Sequence, residues 1–252
     1  MTKHKALTLI VYAPALVGND GRPLDVVHGM EKALPGLRLA WRISEGGRPI
    51  ALPHRDAWLS ERTQDGRFPL LCNGDESYPV TVSGRGRSGR LSPGGQSRFE
   101  VHAEMPLDAP EIATAAAVFE AVAEGARAYW GHASPYGSGS EVSQQFRRSP
   151  HGPECSPRGL PMLNLPEKLP APEIPWFLGW LNYWSAAATR AIGFPDPARD
   201  AELLTRARRT ASGGWVVQLT GAPLDYDNPA HLDALKRAYE RFPEIGGRVT
   251  PR

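Results

Sequence analysis

Cysteine is scarce: in 252 residues there are only Cys72 and Cys155. So far apart in sequence, they make neither a C-x-x-C pair nor the framework of a small disulfide scaffold, and a single bridge between them stays open. An excess of one charge is also missing. Twenty-nine basic residues against 27 acidic leave a net +2, which carries no composition-level signal for nucleic acid or a membrane surface as partner. No run approaches the ~18 apolar residues of a membrane span. Active-site motifs are absent too, with no G-x-S-x-G, no H-E-x-x-H, no P-loop and no zinc-spaced Cys/His set. The histidines (His4, His28, His54, His102, His132, His151 and His231) stand singly. His151 and Cys155 come nearest to a ligand pair and fall short of a tetrahedral set. These absences predict no catalytic residue, no metal, no cofactor, neither nucleic acid nor membrane as partner, and a cytoplasmic chain.

Glycine and proline are what the sequence has in quantity, 26 and 25 residues, so turns and long connections are expected between short elements. The pattern reads as a single α+β domain over 1–252, an antiparallel-rich sheet packed by several helices. A strand-rich half occupies 1–131, a Pro/Gly-rich connection 132–175, and a helical half with one strand 176–245. Leu7, Leu9, Val11 and Ala13 alternate as in a buried first strand. Lys3 and Lys5 before this apolar run, with Ala13-Pro14-Ala15 inside it, keep a secretory signal open as the other reading. A helix is expected from Pro23 to Leu34, strands at 37–43 and 49–52, and a helix from Pro53 to about Gln64. Further strands are expected at 78–83 and 98–105. A long helix from Pro110 to about Gly131 should start at an Asp108 N-cap with Glu111 at capping-box spacing.

Gly84, Gly86 and Gly89 spell G-x-G-x-x-G after a strand, but Arg90-Leu91-Ser92-Pro93 follows where a phosphate-binding helix would have to begin. A hairpin tip over 84–97 with solvated arginines is the better reading; the other makes those arginines contacts for an acidic partner. Residues 150–175 hold eight prolines and read as a long surface connection. Next comes Pro175 to Phe194, with Trp176, Trp180 and Trp184 at i, i+4 and i+8. That spacing predicts a buried central helix ending near Gly193, with these tryptophans and Trp215 as structural core. A helix at 197–210, a strand at 215–220 and an Asn228-capped helix to Arg241 complete the pattern.

Gly159-Leu160-Pro161-Met162-Leu163, Gly179-Trp180-Leu181-Asn182-Tyr183, Ile192-Gly193-Phe194-Pro195 and Gly214-Trp215-Val216-Val217-Gln218-Leu219-Thr220 resemble the immunity protein 52 family of bacterial polymorphic-toxin systems. They are closer still to the myxobacterial domain of unknown function 5953. The resemblance covers most of the chain and is sharp from about residue 159 to 245. It implies a non-enzymatic α+β protein that binds and neutralises a cognate toxin, often a nuclease, and it transfers no active site. A chain at +2 is no acidic DNA mimic, so toxin contact would be local. Candidate surfaces are an acidic stretch of Asp225, Asp227, Asp233, Glu240 and Glu244, and the long connection with Tyr136, Phe146, Arg147 and Arg148. The partner-binding residues taken from these are Asp225, Asp227, Asp233, Tyr136, Arg147 and Arg148. The rival reading is an enzyme or small-molecule binder with a pocket beside Trp176, Trp180 and Tyr183.

Overall fold

The alternation in the first strand sets the layers. The computed structural model describes residues 6–63 and 67–249, with the side chains of 109–111 left aside; Lys3, Lys5, Gln64 and the Glu111 side chain lie outside that description. In β1 (Ala6–Pro14), Leu7, Leu9, Val11 and Ala13 are fully buried on one face, and Thr8, Ile10 and Tyr12 take the other. Strand β1 is paired on both sides, to β6 (Arg98–Pro106) and to β7 (Trp130–Pro135), both antiparallel. It is a central strand.

The remaining strands are β2 (Trp41–Ile43), β3 (Pro49–Ala51), β4 (Phe68–Cys72), β5 (Thr81–Arg87), β8 (Leu181–Trp184), β9 (Ala207–Arg209) and β10 (Trp215–Gln218). Among the described residues, ten strands join one antiparallel sheet in the order β3-β2-β4-β5-β6-β1-β7-β8-β10-β9. Helices α1 (Arg22–Ala33) and α3 (Ala109–Gly125) pack on each other, and α3 lies across β1, β7, β8 and β10. Their approach is so close that a Cβ on Gly125 would stand 2.8 Å from the backbone of Asp25 and Val26. Arg22 fastens the end of β1 to this layer. It grips the Asp20 carboxylate at 2.7–3.0 Å and donates to the carbonyls of Pro14, Ala15 and Ala126. The other face is covered by the connection and by helix α7 (Pro229–Arg241), whose Tyr239 hydroxyl accepts from Leu178 N. The sheet, helices and connection form one α+β domain.

The tryptophan helix does not form. Trp176 to Trp180 has no regular structure, β8 starts at Leu181, and only then does α5 (Ala186–Ile192) begin, capped by the Ser185 hydroxyl. A spacing of four residues satisfies a strand's two-residue alternation as well as a helical turn. Burial on every side of 176–184 then leaves no wet face to tell them apart. The structural role of the tryptophans survives: Trp176, Trp180 and Trp184 are buried, and Trp215 is half-buried edge-on against Phe194. Gly193 does end α5, in the left-handed conformation.

Other expectations change in the same way. The long helix stops at Gly125, Arg127 adopts φ 52°, and β7 occupies the residues assigned to its last turn. The connection over 132–175 therefore opens with ordered structure, β7 and then α4 (Ser138–Gln145). The helix expected at 197–210 shrinks to one turn, α6 (Ala201–Leu204), because β10 recruits Ala207–Arg209 as an edge strand. Residues 176–245 thus hold β8, β9 and β10 instead of one strand. Gly84 and Gly86 belong to β5, short of the 3-10 turns at Gly89–Leu91 and Pro93–Gly95. Gly84 is required by packing, since a Cβ there would fall 2.5–2.7 Å from the Phe99 and Phe68 rings. Strand β4 was not foreseen, while α2 (Arg55–Arg62) lies where a helix was expected. The cysteines are both free, Cys72 buried and Cys155 exposed.

One corner concentrates buried charge. Asp200 is buried, and Arg241 holds its carboxylate at 2.5 and 2.9 Å while also donating to the Gly193 carbonyl. The backbone N–H of Asp196 completes the set at 2.7 Å. Beside it, Trp184 packs edge-on against Phe194 and Phe242, each centroid 5.2 Å away, and the Arg241 guanidinium lies over Phe242.

Candidate functional site

Three of the six residues expected to bind a partner converge. The turn after β7, the start of α4, the turn 222–227 and the first turn of α7 enclose a cleft of about 750 Å³ lined by Tyr136, Asp225 and Asp227. Each has a local reason for its place. Tyr136 follows the last residue of β7, its N–H bound to the Ala6 carbonyl at 2.7 Å, and the strand's end turns its side chain outward, 75% exposed. Asp225 accepts the Asp227 N–H at 2.9 Å, the side-chain turn that aspartate favours, and both stay exposed just ahead of the Asn228 cap.

Arg158 ties the cleft together from the long connection. Its guanidinium reaches Glu141 of α4 at 2.9 Å, Asp227 at 2.9 Å and the Tyr226 carbonyl at 2.9 Å. Tyr226 lies below, its hydroxyl pushed up to about 12 by burial and by the Glu141 charge. His231 accepts the Asp225 N–H through Nδ1 at 3.1 Å. Glu141, Asp225 and Asp227 against Arg158 make this an acidic cleft with an aromatic at its mouth. Glu141, Arg158 and His231 were not anticipated, because no spacing in the sequence links residues brought together only by tertiary packing.

The other expected contacts lie elsewhere. Arg147 and Arg148 are exposed beyond α4, and Arg147 N donates to the Leu163 carbonyl at 2.7 Å. Asp233 is exposed on α7. None of the three lines the cleft. The rival pocket beside Trp176, Trp180 and Tyr183 is not built as expected, because these side chains diverge. Tyr183 reaches Glu124 of α3 at 2.8 Å, Trp180 Nε1 donates to the Thr220 carbonyl at 3.0 Å, and Trp176 packs on Tyr12 of the opposite sheet face at 4.3 Å.

That opposite face carries the sheet's charged cluster. Glu100 on β6 is buried beneath Arg98, Arg85 and Arg87, with contacts of 2.8, 2.8 and 3.2 Å. Burial alone would raise its carboxyl, but hydrogen bonds from His102 and Arg85 and the charge of Arg98 hold it below the usual carboxylate range. Arg98 stacks over Trp176 at 4.4 Å. Arg85 and Arg87, expected as solvated residues of a hairpin tip, instead lie on β5 and neutralise the chain's own glutamate. Two strands away, His132 is buried, and burial together with His102 pushes its imidazole down to about 3.

An acid response follows from these groups. Between pH 6.5 and 3 the unfolded chain protonates His132 and the folded chain does not, so stability is full above pH 6.5. It falls below that by up to about 1.4 kcal/mol per pH unit. Asp20, brought down from 3.8 to about 2 by Arg22, adds stability present above pH 3.8 and lost as pH falls toward 2, and Glu100 loses its contribution below pH 4.5 in the same sense. Urea unfolding from pH 7.5 to 4.5 is the measurement. Stability should decline with falling pH in the native chain and stay nearly level in His132→Leu, and a native profile already level over that range would contradict the assignment.

No group of three or more His, Cys, Asp or Glu side chains that could hold a metal occurs among the described residues, and none of their helices is long and apolar enough to cross a membrane. Over residues 18–250 the chain matches the family described as Domain of unknown function (DUF5953), and it belongs to that family. No curated protein matches it. Among solved structures it is similar to Pseudomonas aeruginosa T6SS protein PA0821, with a TM-score of 0.54 and 16% identity over 94% of this chain and 73% of that one. At this identity the likeness is one of fold.

Proposed function

We propose that this protein is a non-enzymatic, immunity-like binder that neutralises a cognate bacterial toxin in the cytoplasm, a nuclease being the target class suggested by the resemblance to the immunity protein 52 family. The observation that carries the reading is the fold shared along 94% of the chain with a T6SS protein, a relative compatible with a toxin-system role. The acidic cleft supports it with a contact surface: an exposed aromatic beside carboxylates, the kind of anchor that dominates protein interfaces. The balanced net charge of +2 argues for such a local contact over wholesale mimicry of DNA.

Co-expression with the product of the adjacent gene tests the reading. The expected result is a stoichiometric complex and rescue of growth. In the purified pair, Tyr136→Ala and the double change Asp225→Lys/Asp227→Lys should each weaken binding about tenfold or more, about 1.4 kcal/mol. Asp233→Lys, outside the cleft, should bind within about twofold of the native chain. A folded native chain that neither binds nor rescues would overturn the reading.

A further inference from the structure

The last turns of α7 line a second cavity, at the other end of that helix from the acidic cleft. Ala234, Arg237, Ala238 and Arg241 fall at i, i+3, i+4 and i+7, on one face of the helix. Facing them are Leu203 of α6, Arg206 just after it and Arg199 from the turn before it. The alanines are too short to fill the space between these segments, and a cavity of about 140 Å³ is left. Four arginines thus line one small space, and Glu202 supplies its carboxylate. Two of the four are answered by the chain. Arg241 is held by Asp200 at 2.5 and 2.9 Å, and Asp200 is buried behind it, outside the lining. Arg206 meets Glu202 at 3.1 Å and the Leu219 carbonyl at 3.2 Å through one terminal nitrogen. Arg199 and Arg237 are exposed, and their side chains make neither ion pair nor hydrogen bond among the described residues. Arg237 has Asp233 and Glu240 at helical spacing and pairs with neither. Four positive charges therefore stand against two negative, over a floor of Leu219 and Ala238. A cleft lined by one sign of charge, with apolar walls, focuses its field on what enters.

We infer that this cavity binds a phosphate group, free or as the head of a small monoester, with Arg199 and Arg237 as its main donors and Arg206 and Arg241 beside them. A phosphate carries about −1.5 to −2 at neutral pH, which matches the surplus of charge, whereas a carboxylate answers half of it. At ~30 Å³ per water, 140 Å³ takes about five non-hydrogen atoms, as many as a phosphate has. The space falls short of the ~300 Å³ at which sites for larger small molecules begin. Guanidinium forks suit phosphate oxygens in paired hydrogen bonds. The inference is independent of toxin binding, which concerns the cleft at the first turn of α7.

Titration calorimetry of the full chain with inorganic phosphate, at about pH 7.5 and low salt, tests it. A Kd of about 1 mM or tighter is expected, with acetate at least about tenfold weaker. Arg199→Ala/Arg237→Ala should weaken phosphate at least about tenfold, and it keeps its fold because both side chains are exposed and unpaired. Glu202→Gln should act in the opposite sense, tightening phosphate about two- to fivefold by removing the carboxylate from the lining. Arg147→Ala/Arg148→Ala, exposed arginines elsewhere, should bind within about twofold of the native chain. Glycerol 1-phosphate separates the two sources: binding as tight as that of inorganic phosphate or tighter assigns the cavity to a monoester head, and weaker binding assigns it to free phosphate. No binding at about 10 mM phosphate, acetate binding as tightly as phosphate, affinity unchanged in Arg199→Ala/Arg237→Ala, or an equal loss in Arg147→Ala/Arg148→Ala would each overturn the inference.

Discussion

Replacing Asp200 with alanine is expected to lower the free energy of unfolding by about 3–5 kcal/mol, the cost of leaving one half of a buried ion pair behind. Asp200 is buried with Arg241 on both carboxylate oxygens. Arg241 is half-buried, and its alternative acceptor is the single carbonyl of Gly193. The loss therefore includes an uncompensated guanidinium, a freed Asp196 N–H, and slackening where α7 meets the turn before α6. Urea unfolding measures it. Asp225→Ala, an exposed carboxylate on the cleft, should stay within about 0.5 kcal/mol of the native chain. The double change Asp200→Leu/Arg241→Met should recover much of the loss, since an apolar pair of similar volume removes both charges together. If Asp200→Ala cost less than about 1 kcal/mol, the pair would contribute no more than a surface bridge.

Trp184→Ala should cost a similar 3–5 kcal/mol for a different reason, lost burial and a cavity. Trp184 is fully buried, faces Trp130 and Trp215 in neighbouring strands, and packs edge-on against Phe194 and Phe242. A hole there is bounded by the sheet backbone on one side and α7 on the other, so little can collapse into it. Trp184→Phe should recover more than half of the loss. Because Phe242 touches both Trp184 and Arg241, the combined Asp200→Ala/Trp184→Ala chain should depart from additivity by ~0.5 kcal/mol or more. Agreement with the simple sum would mean that the corner is two separate sites.

Much of the layer pattern could be read from residue order, because some signals admit a single period. Leu7, Leu9, Val11 and Ala13 repeat every second residue, and Asn228 caps α7 as its side chain suggests, accepting from Ala230 N at 3.0 Å. The tryptophan stretch failed because its spacing fits two periods and its surroundings are buried throughout. Strand β9 failed because three residues carry no period, and only β10 beside them makes them a strand. The candidate site divides similarly. Tyr136, Asp225 and Asp227 belong to turns, where exposure can be anticipated locally. Glu141 and Arg158 join them through contacts between distant segments, and Arg147, Arg148 and Asp233 are exposed without converging. Neither local spacing nor composition encodes such convergence.

The central position of β1 also bears on how the chain is made. Its two neighbours, β6 and β7, begin at Arg98 and Trp130. At the ~5–20 residues per second of synthesis, β1 emerges from the ribosome roughly 5–20 s before β6 has begun to follow it. For that interval Leu7, Leu9 and Val11 are an apolar strand without a sheet. The nascent chain therefore holds this apolar segment unpaired until β6 and β7 follow, and changes to the half-buried Thr8 within it should alter the yield of folded protein more than its final stability.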